Sequence, residues 1–276
     1  MEWKLLQDES QLKELIKPIK KDCKGHFYTN YQFLNSTTDD DIKYTEIFFA
    51  QDVDNVYVLK RKDDCYQFSY AIGRVEDLDV SKFPQSVKNS LVCCDIIEIE
   101  GKEKQGFVVE KLLQNGFKEY KSYHMWELDK QEIRPHNMKG FQITDVSDKE
   151  YLKRIFYVFD PFADMLPLRK QFADYLTKVC SFSCLVEGRY AGSNIYKING
   201  NTGVEEFVFR DGKFPGVGAI LCEELLNRCF NMHNCKKVFA WIEDSNVQSI
   251  KMHEQIGFTR NTQYKKTYTS GETTNI

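Results

Sequence analysis

The chain has 276 residues, 42% of them hydrophobic and 29% charged, which are the proportions of a folded globular protein with room for two cores. Lys and Arg number 38 against 41 Asp and Glu, and the formal net charge of -3 leaves no basic excess to condense on a nucleic-acid backbone or an anionic membrane. No apolar run is long enough to span a bilayer, and Asp8 and Glu9 interrupt the stretch where a secretory leader would be apolar, so a cytoplasmic protein is expected. The 9 cysteines are odd in number and scattered without a C-x-x-C, which reads as reduced structural thiols. His233 and Cys235 are too few for a zinc site, and no metal is expected.

In the first half the hydrophobic pattern is weak, but its end copies the end of the second half. Leu112-Leu113-Gln114-Asn115-Gly116-Phe117 parallels His253-Glu254-Gln255-Ile256-Gly257-Phe258, and Lys82-Phe83-Pro84 echoes Lys213-Phe214-Pro215. An internal duplication is expected, with an N-terminal lobe at 1–130, a polar linker at 131–140 and a C-terminal domain at 141–276.

After the linker, Phe141–Val146 alternates like a strand, and Ser147 with Glu150 has capping-box spacing ahead of a helix over 148–160. A second helix is expected over 168–179. Strands follow at 181–187, 193–198 and 205–209, separated by glycine turns. The segment Lys213-Phe214-Pro215-Gly216-Val217-Gly218-Ala219 opens a helix with Val217, Ile220, Leu221, Leu225 and Phe230 on its apolar face. A buried strand at 237–242, a helix at 246–255 stopped by Gly257, a strand pair over 258–269 and a frayed tail from Ser270 complete the chain. The class is α/β (α+β).

The pair Gly216 and Gly218 lets the backbone approach a ligand, and the helix that follows offers unpaired N–H groups and the positive end of its dipole to an anion. A lone G-x-G is weak, because such pairs also merely tighten turns. Two ordered signatures strengthen it. Lys213 to Gly218 resembles the Q/R-x-x-G-x-G/A pyrophosphate loop of the GNAT superfamily of acyl-CoA-dependent N-acyltransferases, with Lys in the first place. Asn246, Ser249, His253-Glu254-Gln255 and Gly257-Phe258 resemble the second signature of that family, over a match spanning about 141–269.

The resemblance implies a mixed, mostly antiparallel twisted sheet flanked by helices, in two tandem lobes. It implies acetyl-CoA as cosubstrate, held in an opening between the fourth and fifth strands, and an amine acceptor arriving from the other side. Cofactor contacts would come from Val208, Phe209 and Arg210 at the strand end, from Lys213, Phe214, Pro215, Gly216, Val217, Gly218 and Ala219 in the loop, and from Asn246 and Ser249. Asn246 is also a natural helix cap, and both roles can coexist. Direct attack by an amine needs a base and an acid. The family's acid is a Tyr, and His253 stands in its place, able to protonate a thiolate or simply to pack. For the base the candidates are Glu206 first, placed by alternation on the face of Val208, then Glu205, with Glu243 and Asp244 next. In the first half Gln85-Ser86-Val87 and Leu112 stand at the loop and acid positions, so that copy is expected to be degenerate and to bind no CoA. A non-catalytic CoA-binding or sensor module is the competing reading. A nucleotide-binding protein is weaker, since no Walker Lys-Ser/Thr follows the loop.

Overall fold

The computed structural model describes residues 2–23, 27–30, 39–74, 83–84, 87, 89–131, 140–145 and 148–270. The chain divides into two compact units that are not consecutive in sequence: Met1–Ser122, Pro161–Leu168 and Tyr264–Ile276 form one, and Tyr123–Asp160 with Arg169–Gln263 form the other. The expected linker at 131–140 lies, apart from Gln131 and Gly140, outside the described residues, as do Gln85, Ser86, Ser147 and the tail after Ser270.

The first unit contains β1 (Trp3–Leu5), α1 (Glu9–Asp22), β2 (Tyr28–Thr29), α2 (Asp39–Tyr44), β3 (Ile47–Gln51), β4 (Asn55–Arg61), β5 (Tyr66–Ile72), β6 (Val92–Ile99) and α3 (Gly106–Gln114). Its strands run in the order β1-β3-β4-β5-β6, with β2 on β5; β5 and β6 are parallel and the rest of these described pairs antiparallel. Alternation along β4 sends Val56 and Val58 to a core with Leu12, Ile16 and Ile19 of α1, and Tyr57 and Leu59 to a core with Val108 and Leu112 of α3. The strand is therefore covered on both faces, which explains why its sequence shows no polar alternation. Val87 and Leu112, both expected to have lost any role in binding, are core residues here.

Long strands β7 (Phe117–Asp129) and β13 (Thr259–Ser270) each give residues to both units. The last part of β7, from the first half of the sequence, pairs antiparallel with β12 (Lys237–Glu243) of the second unit. The last part of β13, from the end of the chain, lies beside β6 of the first unit. The expected strand pair over 258–269 is thus one strand, and no Gly or Pro falls between Thr259 and Ser270 to turn it.

The second unit continues with β8 (Phe141–Thr144), α4 (Lys149–Leu152), α5 (Ile155–Val158), α6 (Phe172–Leu176), β9 (Cys180–Val186), β10 (Arg189–Asn199), β11 (Thr202–Arg210), α7 (Val217–Asn227) and α8 (Val247–Ile256). Its order is β7-β12-β11-β10-β9-β8, with β11 and β12 parallel. The helix expected over 148–160 is two short helices, because i→i−3 bonds at Arg154 and Phe156 tighten the chain so that Leu152 and Ile155 both turn inward. Asp148 caps the first of them through the N–H of Glu150. The helix expected over 168–179 shrinks to a 3₁₀ turn at Arg169–Gln171 followed by α6. On one face of the sheet, Val217, Leu221 and Leu225 of α7 pack on Phe182, Ala191, Val238 and Ala240. On the other, Tyr151, Phe159 and Tyr175 make ring contacts with Phe207 and Phe209 of β11.

Candidate active site

The opening expected between the fourth and fifth strands of the second unit corresponds to β11 and β12. Their parallel pairing runs from Thr202↔Lys237 to Glu205↔Ala240 and stops there, although β11 continues to Arg210 and β12 to Glu243. The cause is visible in the register of β11 with β10. Tyr196 faces Glu205 while Ile195 faces Phe207, so Glu206 is an extra residue, a β-bulge that twists the strand away from its neighbour. Backbone groups at the end of β11 are thereby offered to a ligand rather than to a strand.

Gly216 ends the turn after β11 with φ +83°, a conformation glycine adopts without strain, and it is the N-cap of α7. The first turn of α7 has N–H groups without intrahelical acceptors, directed out of the helix start. A Cβ built on Gly218 would lie 3.0 Å from Met252 Sδ and 3.6 Å from Arg210 Cδ, so any side chain there would enter the space between α7, α8 and the end of β11.

That space is a cleft of about 830 Å³. Of the expected cofactor residues, Val208, Phe209, Arg210, Pro215, Gly216, Gly218, Ala219, Asn246 and Ser249 line it together. Lys213, Phe214 and Val217 do not: the Lys213 N–H is tied to Asp211 Oδ1 in the turn, and the Phe214 and Val217 side chains pack on the core. Asn246 caps α8, its Oδ1 accepting from the Ser249 N–H at 3.0 Å, and it borders the cleft as well. Sequence reasoning missed Gln248, Lys251, Met252 and Gln255, which form the α8 wall. Their spacing of three and four residues marks one helix face and was the available signal. Arg210 and Lys251 bring the cations.

The bulge also reverses the expected facing of the two glutamates. Val208 packs on the α7 side, but Glu206 points to the other face, where Lys197 Nζ stands 2.7 Å from its Oε2 and the Tyr175 hydroxyl donates at 3.2 Å. Burial first, and then the Glu206 charge, lift the Tyr175 phenol far above its ordinary value, so it remains a donor. Tyr175 and Lys197 were not foreseen, being brought to Glu206 only by folding.

Glu205 lies on the α7 side in the interior with His253. The imidazole Nε2 is 3.4 Å from Glu205 Oε1, near enough to feel the charge without hydrogen-bond alignment, and Nδ1 meets the Ser249 carbonyl at 2.8 Å. Asn194 Nδ2 donates to Glu205 Oε2 at 3.2 Å. Burial, the largest influence, lowers the His253 pKa, but Glu205 and the Ser249 carbonyl outweigh it and hold it above the usual histidine value. The ring is only 1% exposed and does not border the cleft, and it packs edge-on against Phe258. Of the reserve carboxylates, Glu243 accepts from the Ser245 hydroxyl and Asp244 pairs with His124.

A sheet splayed after a bulge, with a glycine turn and a helix start facing the gap, is an arrangement able to hold an extended anionic ligand. Residues 149–258 match the family described as "Acetyltransferase (GNAT) family". That stretch is similar to a GNAT acetyltransferase domain, and apart from Pro161–Leu168 it belongs to the second unit.

Solved structures extend the likeness of fold to the whole chain. A tandem GNAT protein from the clavulanic acid biosynthesis pathway is 11% identical with TM-score 0.61, covering 99% of both chains. A GCN5-related N-acetyltransferase from Sphaerobacter thermophilus is 8% identical with TM-score 0.60, covering 97% of this chain and 95% of that one. A Drosophila protein is 12% identical with TM-score 0.54, covering 96% and 97%. No curated protein matches the chain by sequence. Among the described residues no helix is long and apolar enough to cross a membrane.

Proposed function

We propose that the protein is an N-acetyltransferase that transfers an acetyl group from acetyl-CoA to a primary amine by direct attack, using one cofactor site in the second unit. The observation that carries this reading is the unobstructed glycine turn of α7 opening on the same cleft as the parted end of β11. The pyrophosphate would sit on the N–H groups at the start of α7, with Arg210 and Lys251 adding charge, and the pantetheine amides would pair with β11 as an added strand does. The acceptor would come from the face of Glu206, whose carboxylate takes the amine's proton. Lys197 and Tyr175 fix its orientation. The first unit is a copy without a cofactor. All 9 cysteines, being free thiols, suit a reducing cytoplasm.

Calorimetric binding of acetyl-CoA tests the site. One molecule should bind per chain, and Gly218→Glu should weaken binding by roughly 10²-fold or more, since it both fills the cleft and brings a like charge to the phosphates. Unchanged affinity in a folded Gly218→Glu variant would refute the assignment. Thiol release with an amine library tests the chemistry, and Glu206→Gln should slow it by about 10²-fold. A non-catalytic CoA-binding module is favoured by one observation, the absence of His253 from the cleft wall; binding without thiol release for any amine would select it.

A further inference from the structure

Glu205 of β11, Cys222 of α7 and His253 of α8 are all buried, and one donor atom from each lies within 4.8 Å of the other two. In this cluster His253 Nε2 has no hydrogen-bond partner among the described residues, on a side chain only 1% exposed, and beside it Asn194, whose Nδ2 donates to Glu205, leaves its buried Oδ1 without one. Buried polar atoms are rarely left so, and an imidazole nitrogen gathered with a thiol and a carboxylate is the donor set of a metal site.

The geometry points to a zinc-class divalent metal site formed by Glu205, Cys222 and His253. Around a tetrahedral zinc, with bonds of about 2.0–2.3 Å, neighbouring ligand atoms stand roughly 3.4–3.8 Å apart. Glu205 Oε1 and His253 Nε2 already have that spacing, 3.4 Å. The mixed carboxylate, thiolate and imidazole set suits zinc and excludes magnesium and calcium, which demand six or more oxygens. Charge balances without a counterion: the metal takes the place of the protons on the Cys222 thiol and the His253 ring, and thiolate plus carboxylate neutralise its two charges. His253 Nδ1, held by the Ser249 carbonyl, is the outer contact that fixes which nitrogen binds. Glu205 is the last residue of β11 paired to β12, so the site sits where the strands part and ties together the three elements that wall the cleft. Cys222 and His253 are too far apart in sequence for any spacing rule to have shown it.

The proposal stands apart from acyl transfer, and its test needs no substrate. The full chain, loaded with zinc chloride and desalted, should retain one zinc per molecule by elemental mass spectrometry, and zinc should raise its unfolding temperature. Cobalt(II) in its place should give a near-ultraviolet thiolate-to-metal absorption band, a direct sign of Cys222 ligation in the unaltered protein. Cys222→Ser should lose the band and the retained metal, Glu205→Gln should weaken binding by ~10-fold or more, and Cys184→Ser, a buried thiol outside the cluster, should change neither. Retention of no zinc, or a cobalt complex without the thiolate band, overturns the proposal. So does full zinc retention in a folded Cys222→Ser protein. If that variant does not fold, the cobalt spectrum of the unaltered chain decides.

Discussion

Each unit holds two neighbouring parallel strands that part after a short pairing. In the second, β11 and β12 part after Glu205 because of the bulge at Glu206, and the gap meets a cleft. In the first, among the described residues β5 and β6 pair at Tyr66↔Val92 and Gln67↔Cys93, and β5 keeps a regular register with β4 along its whole length. The gap beyond is filled by the chain itself. Tyr28 and Thr29 pair with Ile72 and Ala71 as a short strand, the Thr29 hydroxyl donates to the Tyr70 carbonyl, and the Asn30 amide donates to the carbonyls of Phe68 on β5 and Asp95 on β6 while its Oδ1 accepts from the Tyr70 N–H. A pantetheine arm offers amides to just such strand ends. The parted strands of the first unit are thus bridged by its own residues 28–30, whereas the parted end of β11 borders a cleft.

The most drastic way to break the comparison is to cut the chain between its halves. Because β12 of the second unit pairs with β7 from the first half of the sequence, and β6 lies beside β13 from its end, residues 1–130 and 141–276 expressed separately should each fail to give a cooperative unfolding transition by circular dichroism. Two independently folding fragments would show the exchanged strands to be dispensable.

A smaller change makes the second unit resemble the first at one position. His253 is matched by the expected duplication to Leu112, a core leucine, and at pH 6, below its raised pKa, His253→Leu should destabilise the protein by about 3 kcal/mol because Glu205 loses the protonated ring beside it. Glu205→Gln added to it should recover most of the loss in urea denaturation, since the unpaired charge is then gone. If His253→Leu leaves stability unchanged but abolishes thiol release, His253 acts in the chemistry after all.

Asn30→Ala should lower stability by roughly 1–3 kcal/mol, leaving carbonyls of β5 and β6 unsatisfied. The acetyl-CoA stoichiometry should stay at one, because the side chain is removed but β2 still occupies the gap. A second CoA bound by this variant would mean that Asn30 alone closes the first site.

The smallest effect concerns thiol reactivity. Burial lifts the Cys184 thiol of the second unit to about 11 and the Cys94 thiol, which lies 3.9 Å from the Asn30 amide, well above the ordinary range. At pH 8 a thiol with that value is about 10⁻³ thiolate, so iodoacetamide should modify Cys184 slowly, with a rate rising about tenfold per pH unit up to pH 10, where an ordinary thiol has levelled off. Cys94 should be as inert in the unaltered protein and become measurably reactive in Asn30→Ala.

Legibility in the sequence followed the range of the forces involved. The glycine turn at Gly216, the cap at Asn246, the stop at Gly257 and the apolar face of α7 were all readable, because each depends on backbone conformation or helical spacing within a few residues. Local signals also placed β8 to β12 to within a few residues of where they lie, and the family likeness rested on the same short segments. Only the tertiary structure decided the rest. The bulge at Glu206 is a mismatch of register between β11 and β10, and it exchanged the faces that alternation assigns to the two adjacent glutamates. The exchange of β7 and β13, the closing of the first opening by residues 28–30, and the meeting of Glu205 with Cys222 and His253 each join segments far apart in the chain. Such contacts form where burial and hydrogen bonding across the whole fold repay the entropy of closing long loops, a balance no local pattern records.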